Sequence, residues 1–352
     1  MLVSKYSKVC LEAMAVNLPP IEVTSIELED KIAPIYQGLG IPFGTLEKLS
    51  GIATRYFWEP GVMPSAAATK AAELALAKSS ISKEKLGAIF NCSVARDYFE
   101  PATACLVHHN LGLPESAMAL DLTNACIGFS NGITLLASLI ESGTVQAGLL
   151  VSAETTGVMV ESAVRHLMGH AEIDRESLLR IMPSFTIGSG AVAFILCHSD
   201  LAKGPRIIGS VSATASEHND LCSGNGDFHM NAHNRESCVM YTESAKLMAS
   251  ACKLGARVMK NFSAAFGWSN SEIDHIFCHQ VGKQVNDAFY REMNLDISKE
   301  YTIYKKYGNL VSAALPAALA IGADEKPLKR GDRVLLTAYG SGLNSIFTGI
   351  EW

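Results

Sequence analysis

Residues 121–136 read DLTNACIGFSNGITLL, an extended segment giving way to a helix with a cysteine at the change. Upstream, SAMALDL (116–122) is apolar and alternating enough for a buried strand. Downstream, Ile127, Ile133, Leu136 and Ile140 recur at helical spacing until Gly143 ends the run. Cys126 thus falls at or near a helix start, where unpaired N–H groups and the positive end of the helix dipole favour an anion. A thiol there is expected to ionise more readily than one in mid-core. The competing reading is packing, since free cysteine is among the most buried residue types. The rest of the chain has to choose between them.

Working outward, short apolar strands alternate with helices. The strands are LGAIFNCS (86–93), AGLLVSAE (147–154), GAVAFILCH (190–198), DHIFCHQ (274–280) and DRVLLTAYG (332–340), and SAAATKAAELALAKSS (65–80) is an Ala-rich helix. Continuous apolar strands between helices predict a layered α/β protein with buried sheets. The order of elements also occurs twice. A helix leads into GAIFNCSV in the first half and into DHIFCHQV in the second, and GLLVSAET has a later counterpart in RVLLTAYG. This weak repeat sets the internal boundary near GPRIIGSV, at residues 200 to 210, and divides the chain into 1–204 and 205–352.

The 352 residues are 48% hydrophobic and 18% charged, enough apolar material for a sizeable core and too little charge for disorder. A net charge of −6, with no basic tract interleaved with aromatics, argues against a nucleic-acid binder. No apolar run approaches the length of a membrane span. Nine cysteines without framework spacing, and no secretory leader, predict a soluble protein of the reducing cytoplasm.

Two more residues fall at strand ends or in the loops after them, where function concentrates in α/β proteins. His279 follows DHIFC, and Asn309 lies in KKYGNLVSAALP, a Gly-Asn turn leading into an Ala-rich helix from about Ser312 to Gly322. Near the C-terminus YGSGLN (339–344) sets Gly340 and Gly342 around Ser341, a turn whose N–H groups can face a cavity. Taken singly, HQ is an ordinary structural pair, and GN and GSG are ordinary turns. Together, a cysteine, an imidazole and a carboxamide supply a nucleophile and two donors for one carbonyl oxygen, the requirement of thioester carbon–carbon bond formation.

The series NACIG, HQV, YGNLVSAALP and YGSGLN, in that order, resembles the thiolase superfamily and, within it, the ketoacyl synthase III type of condensing enzyme. The likeness runs from GIATRYFWE (51–59) to the C-terminus. It implies two similar βαβαβαββ halves in a five-layered α-β-α-β-α fold, normally a homodimer. It also implies Cys126 as the acylated nucleophile, with His279 and Asn309 completing a triad. The N–H groups of Cys126 and Ser341 would form one oxyanion hole, and His279 with Asn309 a second, for an enolate. Malonyl-using relatives commonly carry three glycines in the last loop. Ser341 replaces the middle one here and keeps the backbone donor.

SVARDYFEPATACLVHHNLG (93–112) separates the subfamilies. Malonyl-using proteins typically carry an apolar residue before this proline, reaching across the dimer into the partner's acyl channel; here it is Glu100. That carboxylate, with RDYFEPATA, TASEHNDLCSGN (214–225) and YGSGLN, resembles the OleA-type enzymes of bacterial head-to-head olefin biosynthesis. The likeness implies that two long-chain fatty acyl-CoA molecules are joined without decarboxylation. An unactivated acyl-CoA must surrender an α-proton, which needs a general base in a dry pocket, and Glu100 of the partner subunit is placed to be that base. The alternative for Glu100 is a surface carboxylate at the start of the helix after Pro101. Arg55, in GIATR, resembles the position that contacts the nucleotide end of coenzyme A, or else is a solvated arginine. The segment 161–186, longer than its usual counterpart, is either an amphipathic lid over an acyl tunnel or a helical hairpin closing the core.

Two alternative functions remain at this stage: decarboxylative condensation with a malonyl carrier protein, and a non-catalytic partner subunit. His218, Cys222, His229 and His233 lack the second cysteine pair of a structural zinc site, so no metal is expected. No resident cofactor is expected either, coenzyme A thioesters entering only as substrates.

Overall fold

The computed structural model describes residues 1–170, 172–224 and 239–352. Its sheet consists of two similar halves. In the first, β2 (Val9–Asn17), β5 (Ala88–Asn91), β6 (Met118–Asp121), β7 (Ala147–Glu154) and β8 (Gly190–His198) run in the order β2-β8-β7-β5-β6. In the second, β9 (Arg206–Thr214), β12 (His275–Cys278), β13 (Arg333–Gly340) and β14 (Asn344–Glu351) run in the order β9-β14-β13-β12. The pairings match step for step. β5 and β12 are parallel to β7 and β13, which are antiparallel to β8 and β14, which are antiparallel to β2 and β9. The two strand pairs that the sequence repeat equated, β5 with β12 and β7 with β13, therefore occupy equivalent places. β6 adds parallel to β5, and its counterpart is reduced to a single bridge between Ile276 and Glu300.

Between the halves lie α6 (Gly128–Glu141) and α12 (Ala314–Glu325), packed into one cluster with Phe90, Phe194, Phe277, Leu336 and Ile346. α4 (Pro64–Lys78) and α5 (Thr103–Leu111) cover the outer face of the first half, where Ala67, Ala68, Ala71, Ala72 and Ala75 let the helix lie close to the strands. α9 (Ser244–Phe266) and α10 (Lys283–Glu292) cover the second. Helix, sheet, helix, sheet, helix is the five-layered order expected. β1 (Leu2–Lys5) pairs with β9 and so extends the second half's sheet from the start of the chain, while the halves themselves meet in the ladder at Cys10 and Arg206.

A fourth cluster sits to the side. α1 (Ser25–Lys31), α2 (Ala33–Gly38) and α3 (Thr45–Ser50) pack there with α7 (Gly157–Gly169) and α8 (Arg175–Ile181), below the hairpin β3 (Ile21–Thr24) and β4 (Thr54–Phe57). The remaining elements are the hairpin β10 (Cys222–Gly224) and β11 (Met240–Thr242), and the short α11 (Tyr304–Tyr307). Among the described residues no helix is long and apolar enough to cross a membrane.

Candidate active site

The matching halves put the candidate residues at comparable points. Cys126 precedes α6 and Asn309 precedes α12, while His279 follows β12. Leu122 N–H donates to Asn91 O at 2.8 Å at the foot of the cysteine turn, and Ala125 is left-handed with φ 44°. Asn344 Nδ2 donates to Asn124 Oδ1 at 3.4 Å and to Ser341 O at 3.1 Å, tying this turn to the YGSGLN loop. The end of β13 lies against Cys126: a Cβ on Gly340 would stand 3.3 Å from the backbone nitrogens of both Cys126 and Ile127. A side chain there would crowd the space in front of those amides. Ser341, the next residue, is half-buried.

The expected ready ionisation of Cys126 is corrected. α6 begins at Gly128 with Ile127 as its cap, so the sulfur lies ahead of the first turn rather than on it. Burial pushes the thiol up, and Cys222 and Glu154 push it further. Loss of water outweighs the helix dipole, and the resting sulfur is a thiol.

His279 is 1% exposed; its N–H donates to Thr337 O at 2.8 Å, and its ring meets Tyr339 edge-on at 5.2 Å. Among the described residues neither ring nitrogen has a hydrogen-bond partner. Burial pushes the imidazole down to about 3, so it is neutral, with one nitrogen to donate and one to accept.

Asn309 is buried and pairs with Ile187, donating its N–H to Thr186 O and accepting from Gly188 N–H, each at 2.9 Å. Its Oδ1 accepts from Val311 N–H at 2.9 Å. The Nδ2 end is thereby left as the donor. Gln280, beside His279, binds this region to the imidazole strand. Its Oε1 accepts from Ile303 N–H at 2.8 Å and Tyr304 N–H at 3.1 Å, and its Nε2 donates to Tyr301 O at 2.8 Å.

Arg55 lies elsewhere than a nucleotide contact requires. It is 0% exposed, donates to Ser25 Oγ at 2.9 Å, and sits beneath the Asn309 turn, where Cβ atoms on Gly188 and Gly308 would come within 3.2 and 3.1 Å of its Cβ. Burial lowers its guanidinium to about 10, against the pull of Glu47 and Glu29. It is neither solvated nor presented to a ligand at the surface.

Glu100 is exposed in the single chain, at the tip of the segment between β5 and α5. Asp97 fixes this segment by accepting from Ser65 N–H at 2.8 Å, and Asp121 holds its far end by accepting from Thr103 N–H at 3.0 Å and Ala104 N–H at 2.8 Å. Of the histidines and cysteine considered for a metal, His229 and His233 lie outside the described residues. Among the described residues no group of three or more His, Cys, Asp or Glu could hold one.

Known proteins resemble this chain over its whole length. Family models of 3-oxoacyl-[acyl-carrier-protein] synthase III match residues 120–216, and of its C-terminal part residues 263–352. Acyl-CoA:acyl-CoA alkyltransferase of Shewanella oneidensis is 33% identical over 352 residues, covering 99% of this chain and all of that one. Its counterpart in Xanthomonas campestris is also 33% identical, covering 99% of both chains. The chain belongs to this family. The cerulenin-bound crystal structure of Xanthomonas campestris OleA superposes on it with a TM-score of 0.93 at 32% identity, covering 99% of this chain and 98% of that one. Another OleA structure, with bound lauric acid and lauroyl-CoA, gives 0.92. The fold is therefore that of the OleA-type enzymes in the thiolase superfamily, and the protein is an acyltransferase.

Two buried polar residues that bind these turns together escaped the sequence reading. Gln280 was visible as the second letter of HQ, a pair read for its histidine alone. Glu154 was visible as a carboxylate ending the otherwise apolar strand AGLLVSAE, where a buried charge demands partners. In the segment 161–186 Leu167, Leu178, Ile181 and Met182 are buried against α1 to α3, whereas Met168 and Leu179 are exposed.

Proposed function

We propose that the enzyme condenses two fatty acyl-CoA molecules without decarboxylation. Cys126 attacks the first thioester, its proton passing to the accepting nitrogen of neutral His279 and then to the departing coenzyme A. The Cys126 and Ser341 amides hold the carbonyl oxygen of the tetrahedral intermediate. Glu100 of the partner subunit takes an α-proton from the second acyl-CoA. His279 and Asn309 Nδ2 hold the enolate oxygen while its carbon attacks the acyl-cysteine. A carbon–carbon bond forms, the carbon–sulfur bond to Cys126 breaks, the proton taken by Glu100 returns to the released Cys126 sulfur, and a 2-alkyl-3-ketoacyl thioester remains.

The observation that carries this reading is the neutral, unpartnered His279, a buried donor suited to a developing oxyanion. Full-length identity to acyl-CoA:acyl-CoA alkyltransferases favours it over use of malonyl thioester. Homodimerisation is supported by the sheet edge. β6 is the outermost strand, with Met118 42% exposed, and Tyr98 and Phe99 beside Glu100 are 55% and 63% exposed. An edge strand flanked by apolar surface suits a second copy. The eight cysteines among the described residues are all free, which supports a cytoplasmic location.

The test is mass spectrometry of wild type and Glu100→Ala after mixing with long-chain acyl-CoA alone. Both are expected to be acylated at Cys126, and the two-chain product to form only with wild type. Strict dependence on malonyl carrier protein would overturn the reading.

A further inference from the structure

Glu154 is 1% exposed at the end of β7, and every described contact of its carboxylate is a donor from a segment with work to do. Oε1 accepts from Val94 N–H at 2.9 Å and Oε2 from Ala95 N–H at 3.1 Å, the amides that open the segment carrying Glu100. Oε1 also accepts from Ser312 Oγ, three residues after Asn309. Ser312 Oγ in turn lies 2.7 Å from Ser152 Oγ on β7. One buried carboxylate thus joins the loop with the base to the turn with the enolate donor, two segments more than 200 residues apart in the sequence.

The place is also special by symmetry. β7 and β13 are equivalent strands, and Gly340 at the end of β13 abuts the Cys126 amide that precedes α6. Glu154 at the end of β7 meets the turn that precedes α12. Where the second half presents a bare backbone to the nucleophile, the first presents a carboxylate to the turn opposite.

We propose that Glu154 is a positioning residue for the bond-forming half of the reaction, holding the Glu100 loop and the Asn309 turn at one spacing. This rests on the reading of Glu100 as base and Asn309 as enolate donor. Burying a carboxylate is costly unless donors surround it, and the donors here come from those two segments. Glutamine at this position keeps the shape but turns an N–H toward the Ala95 amide, setting donor against donor. Ser312→Ala removes the hydroxyl that ties the carboxylate to the Asn309 turn and leaves only backbone amides, those of Val94, Ala95 and Ser312, to hold it. Because Glu154 is one of the groups pushing the Cys126 thiol up, its neutralisation does not slow acylation through the sulfur.

The experiment measures two rates in wild type, E154Q, S312A and E154A: acylation of Cys126 by intact mass after a pulse of acyl-CoA, and formation of two-chain product. For E154Q and S312A acylation is expected to stay within about threefold of wild type while condensation falls about 10- to 100-fold, in kcat rather than KM. E154A, which strands all these donors, is expected to lose more; if it does not fold, the other two variants still decide. Equal condensation by E154Q and wild type overturns the role of Glu154 alone. Acylation and condensation falling together with the melting temperature overturn it too, since that marks a purely structural residue. A wild type that makes no two-chain product overturns the condensation itself, and the Glu154 role with it.

Discussion

Asn309 Oδ1 accepts from Val311 N–H at 2.9 Å, and this short link decides which end of the carboxamide faces the reaction. Val311 adopts φ 53° to make it, a left-handed conformation that is rare for a β-branched residue and costs about 1–3 kcal/mol. Asn309→Asp keeps the acceptor and removes the donor. We expect Cys126 to be acylated at near wild-type rate and condensation to fall about 10²–10³-fold, the usual cost of one lost oxyanion donor. Single-turnover product analysis after preloading the acyl group checks this.

Gly340 bears on the other half-reaction. Alanine there would bring a methyl group to 3.3 Å from the amides of Cys126 and Ile127 and 3.1 Å from the Ile127 side chain, so the backbone that holds the first oxyanion must shift. Gly340→Ala is expected to slow acylation about tenfold or more with little change in melting temperature. Stopped-time intact-mass measurements give the rate.

Arg55 makes a prediction of stability rather than affinity. Its guanidinium is buried with Ser25 under the Asn309 turn. Removing it leaves a cavity and unpaired acceptors, so Arg55→Ala is expected to destabilise the fold by about 2–4 kcal/mol. In protein that remains folded, the KM for acyl-CoA should be unchanged. Denaturant titration beside steady-state kinetics separates the two effects.

His279 sets a pH dependence. Its folded value, about 3, lies below that of an exposed histidine, so between pH 6.5 and 3 the unfolded chain binds a proton that the folded chain refuses. Stability therefore falls as the pH drops through this window, by about 2 kcal/mol from this ring between pH 7 and 5. His279→Gln should lose less stability than wild type over the same interval, measured by urea midpoints at the two values.

Delivery of Glu100 across the dimer is tested by mixing. Neither Cys126→Ala nor Glu100→Ala homodimers should condense. Mixed and re-equilibrated, they should regain part of the wild-type activity, because one site then combines an intact Cys126 with the partner's Glu100. Silence of the mixture, with subunit exchange shown by native mass spectrometry, would return Glu100 to its own chain.

Most of the fold was legible because the strands are buried on both faces. AGLLVSAE and GAVAFILCH are β7 and β8 residue for residue, and DHIFC and RVLLTAYG occupy the places that the repeat assigned them. β1 was not legible, since LVSK is short and mostly exposed and its pairing with β9 is set by tertiary structure. At the candidate site the type and order of Cys126, His279 and Asn309 were legible. What they feel was not. The local helix signal predicted an easily ionised Cys126, but desolvation depends on what covers the sulfur, and no window of sequence contains that. Arg55 failed for the same reason, its surroundings being supplied by residues 23–25 and 186–188 and by the turn at 307–309.

The crossed support of the two turns bears on how such a chain can change over time. The strand that ends at Gly340 belongs to one repeat and props the cysteine of the other, while the strand that ends at Glu154 does the reverse. Neither repeat carries a finished half of the catalyst, so the two cannot diverge independently. A substitution at either strand tip is selected through the partner repeat's residues, and covariation between the copies should be densest at these tips.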